Sequence, residues 1–183
     1  LWVSDITYID IEGDSDYLHL VTDAYSHKII GWCLADSLSA RHTLEALRMA
    51  IRQTGKDDLS GLIHHSDRGI QYCCNAYVAE LELHHISISM TEDYKPTDNA
   101  IAERVNGIIK QELIYRRKRF ASHEEAYEAI ERFITFYNDS RPHMSIDYQT
   151  PSVAHQQVGT QQRHWKGYQE RCQQNQYNIC QSI

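Results

Sequence analysis

The chain reads as an α/β domain: a mixed sheet with helices on both faces. Two observations predict this. Three strand-like runs open the chain, and segments of helical and strand periodicity alternate after them, in the order βββαβαβαα. The 183 residues, 42% of them hydrophobic, also suffice for one domain with a real core.

Residues 2–11 alternate with apolar side chains on both faces. Trp2, Ile6 and Tyr8 lie on one, and Val3, Ile9 and Ile11 on the other, the pattern of a central strand. Gly13–Asp16 predicts a turn. Tyr17–Thr22 and Lys28–Leu34 predict two further strands joined by a tight turn near Ser26 and His27, giving a three-stranded antiparallel meander. A helix follows from a Ser39 N-cap to Gln53, with Leu44, Leu47 and Ile51 as its apolar stripe and Gly55 as its stop. Leu62–His65 reads as a short strand ending at Ser66 and Asp67. Asn75–Leu83 reads as a helix with Tyr77, Val78 and Leu81 inward, and Ile86–Met90 as the last strand.

Residues 91–97 are polar and contain a proline, the mark of a mobile loop. Thr97 or Asp98 then caps a long helix to about Arg116, its buried stripe Ile101, Val105, Ile108, Ile109 and Leu113. Ser122 caps another, running to about Asn138, with Ala126, Ile130, Phe133 and Tyr137 inward. The expected division is a core at 1–155 and a glutamine-rich tail at 156–183, where Trp165, Tyr168 and Cys172 hint at one short helix.

Composition narrows the function. No apolar run approaches the roughly 20 residues of a membrane span, and no signal peptide is present. The chain opens inside a strand-like run, so it is expected to be part of a longer protein. Five cysteines with no CxxC spacing point to a reducing, cytoplasmic setting. The adjacent pairs His64–His65 and His84–His85 would point to opposite faces of a strand and make no ready chelate. A net charge of −7 argues against a free-standing nucleic-acid binder, where a basic footprint is expected. It leaves a catalytic core open, because acidic metal ligands contribute locally.

Three acids stand out. Asp5 lies mid-strand, where a carboxylate is costly to bury unless paired or bound to metal. Local donors could satisfy it equally. Asp67 follows a strand end, where ligand sites gather in such sheets. It could also form an Asx turn with Gly69 supplying positive φ. Glu103 lies opposite the apolar stripe of its helix, the ordinary place of a solvated Glu. With 25 acids in 183 positions, the spacing of Asp67 and Glu103 alone means little. Their surroundings say more. Asn106, Gly107 and Lys110 share a face with Glu103. Gly107 costs a helix about 1 kcal/mol relative to Ala, and its missing side chain leaves room for a DNA backbone, with Lys110 placed to hold a phosphate. Lys110 could also be a plain surface lysine. The basic run Arg116, Arg117, Lys118 and Arg119 could contact DNA or simply favour its helix C-terminus.

WVSDITYI, HHSDRGIQY and TDNAIAERVNGIIKQEL, followed by Tyr137-Asn138-Asp139-Ser140-Arg141-Pro142-His143, resemble the catalytic core of DDE transposases. In particular they are similar to the orfB-type product of the large bacterial insertion-sequence group numbered three, whose cores are like those of retroviral integrases. The resemblance covers about residues 1–155. It implies a ribonuclease-H-like fold, a mixed five-stranded sheet flanked by helices, with Asp5, Asp67 and Glu103 as the catalytic, metal-binding triad. Lys110 matches a lysine on the family's DNA-contacting helix, and Asn106, Arg116, Arg117, Arg141 and His143 are expected to join it on DNA. Asn99 and Gly107 are expected in supporting roles. Ser4 stands where the family has Thr before the first Asp, which keeps the hydroxyl.

The resemblance further implies two Mg²⁺ ions, with Mn²⁺ as substitute, about 3.5–4 Å apart. Asp5 would bridge both, with Asp67 on one and Glu103 on the other. The implied reaction is DNA strand cleavage and strand transfer by in-line displacement at phosphorus. The implied partners are insertion-sequence ends, target DNA and at least one further copy of the chain, in a bacterial cytoplasm at the nucleoid, with no membrane. Two rivals stay open here: a ribonuclease-H-like nuclease that only hydrolyses, and an inactive DNA-binding or assembly subunit.

Overall fold

The structure, a computed structural model, describes residues 1–91, 99–117 and 119–161. Its sheet has five strands in the order β3-β2-β1-β4-β5: β1 (Trp2–Ile11), β2 (Asp14–Asp23), β3 (Ile29–Ala35), β4 (Ile63–Ser66) and β5 (Ser87–Met90). The first three form the expected antiparallel meander, and β4 and β5 pair in parallel with β1 and with each other. The expected turn at Gly13–Asp16 is shorter than read. Ile11 pairs with Asp14 across a two-residue loop, and Gly13 supplies its φ of 87°. The polar Asp14 and Ser15 therefore belong to β2.

The sheet separates two cores, and strand register explains which residue faces which. Ile6, His19 and Cys33 lie side by side on one face, and Asp5, Leu20 and Trp32 on the other. On the first face Trp2, Val21 and Ile30 pack against helix α1 (Ala40–Thr54), α2 (Ile70–Cys73) and α3 (Asn75–Leu83). On the second, Ile9, Ile11, Leu18 and Leu20 pack against α4 (Ala100–Ile109) and its continuation, and against α6 (His123–Asp139). Tyr8 departs from its expected apolar role. It is 60% exposed and meets Tyr17 edge to face.

Helix α1 approaches β3 closely at Gly31, where a Cβ would stand 2.1 Å from the Ala46 carbonyl oxygen. Gly55 ends α1 in the left-handed conformation, as expected. Ser39 holds the N-cap position, but its hydroxyl makes no capping bond, whereas Ser122 accepts from the Glu125 N–H and caps α6. In α3, Tyr77 and Leu81 are buried and Val78 only half-buried.

The long helix after residue 99 is not uniform. After α4 comes a π-helical turn (Lys110–Ile114), then a last α-turn, α5 (Tyr115–Arg117). Its buried side carries Ala102, Val105, Asn106, Ile108 and Ile109, with Ile101 half-buried. The short helices α2 and α7 (Pro151–Ala154) went unforeseen, since a single turn is too short to show periodicity. The Thr97 or Asp98 cap, most of the 91–97 loop, Lys118 and the tail helix around Trp165 lie outside the described residues.

Candidate active site

Strand β1 lies beside β4 with Trp2 opposite His64 and Val3 opposite His65. Continued two residues, that register brings Asp67 level with Asp5 and onto the same face. Neighbouring strands lie about 4.8 Å apart, so pairing sets the two residues side by side, although the oxygens of Asp5, Asp67 and Glu103 do not all lie within 4.8 Å of one another. Helix α4 crosses that face. Asn106 donates from Nδ2 to the Asp5 carboxylate at 2.6 Å, and Glu103 sits one turn earlier on the same helix. Asn99, just before α4, donates to the Ser4 carbonyl at 3.1 Å and ties the helix start to β1 beside Asp5.

The electrostatics follow from this convergence. Burial lifts the Asp5 carboxyl above its usual range, and the Asp67 and Glu103 charges add to the rise. The Ile6 N–H and the Asn106 amide pull it back in part. The Ile6 N–H donates to Asp5 at 2.8 Å. No cationic side chain enters that balance. An all-oxygen, mutually repelling donor set is what a hard divalent cation such as Mg²⁺ takes, so these residues fit the metal that the resemblance implies.

Asp67 does form an Asx turn, accepting from the Gly69 N–H at 2.9 Å. The role of Gly69 differs from expectation. Its φ is −57°, so no left-handed backbone is needed. Space decides instead: a Cβ there would stand 2.9 Å from Asp67 Oδ1 and 2.9 Å from Gln71 Oε1.

A buried polar layer lies behind the acids and was not singled out in the sequence. His64, 1% exposed, bonds through Nε2 to Ser4 Oγ at 2.8 Å and to Tyr77 Oη at 2.9 Å. Burial pushes His64 down to about 4, so it stays neutral. The Ser4 hydroxyl is thereby a strut between β1 and β4. The Tyr72 hydroxyl is buried without a partner, in the field of Asp5 and Asp67. The adjacent pair His64–His65 offered the only signal in the sequence, and alternation along β4 turns just one of the two into the core.

Three residues assigned to DNA are occupied elsewhere. Asn106 is 6% exposed and engaged with Asp5. Arg141 clasps Glu112 through Nε at 2.9 Å and Nη2 at 2.6 Å, and its Nη1 meets the His143 ring at 3.2 Å. His143 is 5% exposed, packs on Tyr137 at 4.7 Å and is pushed down to about 4 by burial. These two fasten the segment after α6 to the π-turn. Lys110 is half-buried, while Arg116 and Arg117 are exposed, Arg117 pairing with Glu125 at 3.2 Å. A Cβ at Gly107 would meet nothing within 4 Å, so no internal contact requires glycine there.

The sequence matches the family model described as "Integrase core domain" over residues 1–96, and a second model of the same description over residues 84–151. The chain belongs to the integrase core domain family. Among curated relatives, it is 37% identical to a putative transposase for insertion sequence element IS986/IS6110 of Mycobacterium tuberculosis (strain ATCC 25177 / H37Ra), over 77% of this chain and 52% of that protein. It is 35% identical to the transposase for IS904 of Lactococcus lactis, over 82% and 59%, and 33% identical to transposase InsF for IS3A of Escherichia coli K12, over 78% and 49%. The chain thus spans about half the length of these relatives. Among solved structures, the HTLV-2 integrase catalytic core domain in complex with magnesium superposes with a TM-score of 0.65 at 20% identity, covering 84% of this chain and 94% of that one. The simian T-cell lymphotropic virus intasome gives a TM-score of 0.72 at 17% identity, covering 91% and 58%. The fold is therefore that of integrase cores, ribonuclease-H-like as expected. No helix among the described residues is long and apolar enough to cross a membrane.

Proposed function

We propose that this chain is the catalytic core of a DDE transposase that cleaves DNA at the ends of an insertion sequence and joins them to target DNA. The observation that carries the reading is the β1–β4 register, which continued sets Asp67 level with Asp5 on the face crossed by the helix that bears Glu103. The transposase relatives support joining over hydrolysis alone. Asp5, Asp67 and Glu103 would hold the divalent metal, with Mg²⁺ favoured by the all-carboxylate donor set. When bound, two such ions would activate the attacking hydroxyl and stabilise the leaving oxygen.

The remaining steps fall to the chain's own residues. Asn106 orients the Asp5 carboxylate and keeps it from turning away under repulsion. The Asx turn at Gly69 fixes the Asp67 backbone at the strand end. Lys110, Arg116 and Arg117 are the proposed contacts to the phosphate backbone, and the open space at Gly107 would admit that backbone between Glu103 and Lys110. Arg141 and His143 act here as positioning residues for the π-turn that carries Lys110. At least two copies of the chain would be needed to hold two DNA ends.

The test is cleavage and strand joining on oligonucleotides carrying the element ends, using the full-length protein and Mg²⁺. Asp5→Asn, Asp67→Asn and Glu103→Gln should each abolish both products while the fold persists. Wild-type activity in any one removes that residue from the site. Cleavage without joined product from the wild-type protein would favour the nuclease reading.

A further inference from the structure

A second group of ligand atoms lies on the opposite face of the sheet from Asp5. Cys33 stands on β3, in the row of Ile6 and His19. His42 and Glu45 stand one turn apart near the start of α1, which packs over that row. Cys33 Sγ is 3.3 Å from Glu45 Oε2 and 4.0 Å from His42 Nδ1, and His42 Nδ1 is 3.7 Å from Glu45 Oε2. Among the described residues this is the only trio of His, Cys, Asp or Glu whose ligand atoms lie mutually within 4.8 Å.

We infer that Cys33, His42 and Glu45 form a binding site for a borderline-soft divalent cation, Zn²⁺ in the first instance, separate from the acidic triad. The distances carry the inference. With ordinary zinc bond lengths and tetrahedral angles, sulfur lies about 3.6 Å from the nitrogen and from the oxygen, and nitrogen about 3.4 Å from oxygen. The three observed separations fall within about 0.4 Å of those values. Thiolate, imidazole and carboxylate together select zinc over magnesium, which prefers oxygen alone.

The surroundings suit such a site. His42 is 7% exposed and Cys33 half-buried, so two ligands are already fixed by packing. Glu45 is exposed at the side chain and free to adjust. A cleft of about 400 Å³ adjoins the trio, lined also by Asp16, Asp36 and His123. Asp16 already holds His123 Nδ1 at 2.6 Å, so this pair borders the cleft as a preformed polar wall. Binding would deprotonate the Cys33 thiol and release that proton to solvent. It would also turn the His42 ring proton to Nε2, displacing the contact from Arg41 Nε at 3.1 Å, whose side chain is exposed. A bound ion would staple edge strand β3 to the first turn of α1.

The experiment is equilibrium dialysis of the full chain against micromolar Zn²⁺ under reducing conditions, with Co²⁺ absorption as the second readout. One zinc per chain and a thiolate-to-cobalt charge-transfer band are expected. Both should disappear in Cys33→Ser and fall at least tenfold in affinity in the exposed variant Glu45→Gln, which carries little risk to folding. Both should persist in Cys73→Ser, in Cys172→Ser/Cys180→Ser and in Asp5→Asn/Asp67→Asn. The unfolding midpoint of the wild type should rise by several degrees at free zinc about a hundredfold above Kd. Absence of the thiolate band, or zinc lost with Asp5 and Asp67 instead of Cys33, would overturn the site. Because the triad variant retains zinc if the inference is right, failure here and failure of the transposase reading are distinguishable.

Discussion

Asp5→Asn should make the metal-free protein more stable while removing its response to magnesium. In the wild type, Asp5 accepts from the Ile6 N–H and from Asn106 Nδ2, against burial and the charges of Asp67 and Glu103. An asparagine keeps the bond from Ile6 through Oδ1. Its Nδ2 then faces the Asn106 amide, which can turn over so that its buried, unpartnered Oδ1 accepts. One charge-assisted bond worth about 1.5–3 kcal/mol is exchanged for a neutral bond of about 1 kcal/mol, and the turned amide trades an orphan Oδ1 for an orphan Nδ2 with no gain. The gain comes from relief of desolvation and repulsion, which outweigh both hydrogen bonds in lifting the Asp5 carboxyl. The expected net is about 1 kcal/mol, or about 2–4 °C in midpoint for a chain of this size. The assay is thermal unfolding at pH 7 in EDTA, then with Mg²⁺. Wild type should be the less stable protein in EDTA and gain about 2.7 kcal/mol at a hundredfold excess over Kd, so Mg²⁺ reverses the order. The pH dependence has a definite sign. With its folded pKa raised, Asp5 holds its proton where the unfolded chain has lost it, so wild-type stability in EDTA falls as pH rises from 3.8 through the raised value. The variant lacks that component. A variant less stable than wild type in EDTA, or one still stabilised by Mg²⁺, would refute the reasoning.

Gly69→Ala should push the Asp67 carboxylate out of its turn, lowering strand cleavage about tenfold or more with little change in the unfolding midpoint. Gly31→Ala sets a methyl against the backbone of α1 and should cost about 3 kcal/mol or more, read as loss of folded protein on expression or a lowered urea midpoint. Glu112 and Arg141, with side chains 31% and 21% exposed, lie between the surface and buried regimes. Arg141→Ala should cost about 2 kcal/mol in urea unfolding, with a coupling of about 1–2 kcal/mol to Glu112→Gln in a double-mutant cycle. Burial holds His19, His64 and His143 each at about 4, so stability present above pH 6.5 should be lost as pH falls through about 4. The loss should be about 1 kcal/mol or more apiece between pH 7 and 5, and smaller in His64→Gln.

The meander was legible because β1 carries apolar residues on both faces and β2 and β3 follow through short turns. The acids were legible through their flanking motifs more than their spacing. What stayed hidden depends on tertiary pairing. The π-turn at Lys110–Ile114 adds one residue to a hydrogen-bond ladder and leaves no trace in composition. Arg141 and His143 were expected on DNA from the resemblance alone, but Glu112 takes the guanidinium and Tyr137 covers the ring. Gly69 was read through the conformational freedom of glycine, when the constraint was the volume beside Asp67.

The acidic balance of the chain and its proposed action on a polyanion are consistent once the site is seen as an unfinished electrostatic structure. Strand pairing forces Asp5 and Asp67 together, and helix packing adds Glu103, so the fold itself supplies the repulsion. Asn106 brings no counter-charge; its amide offsets part of the rise and holds the Asp5 carboxylate in place. No cationic side chain offsets Asp5, and a site built this way should bind cations more tightly the more rigidly its carboxylates are held. The rigid parts are visible: the Ser4–His64–Tyr77 strut behind β1 and β4, the Asn99 tether at the helix start and the Arg141 clasp on the π-turn. Loosening the Asn99 tether should weaken metal binding before it unfolds the protein, because it acts on the start of the helix that bears Glu103, whereas the strut ends on Tyr77, itself part of an apolar core.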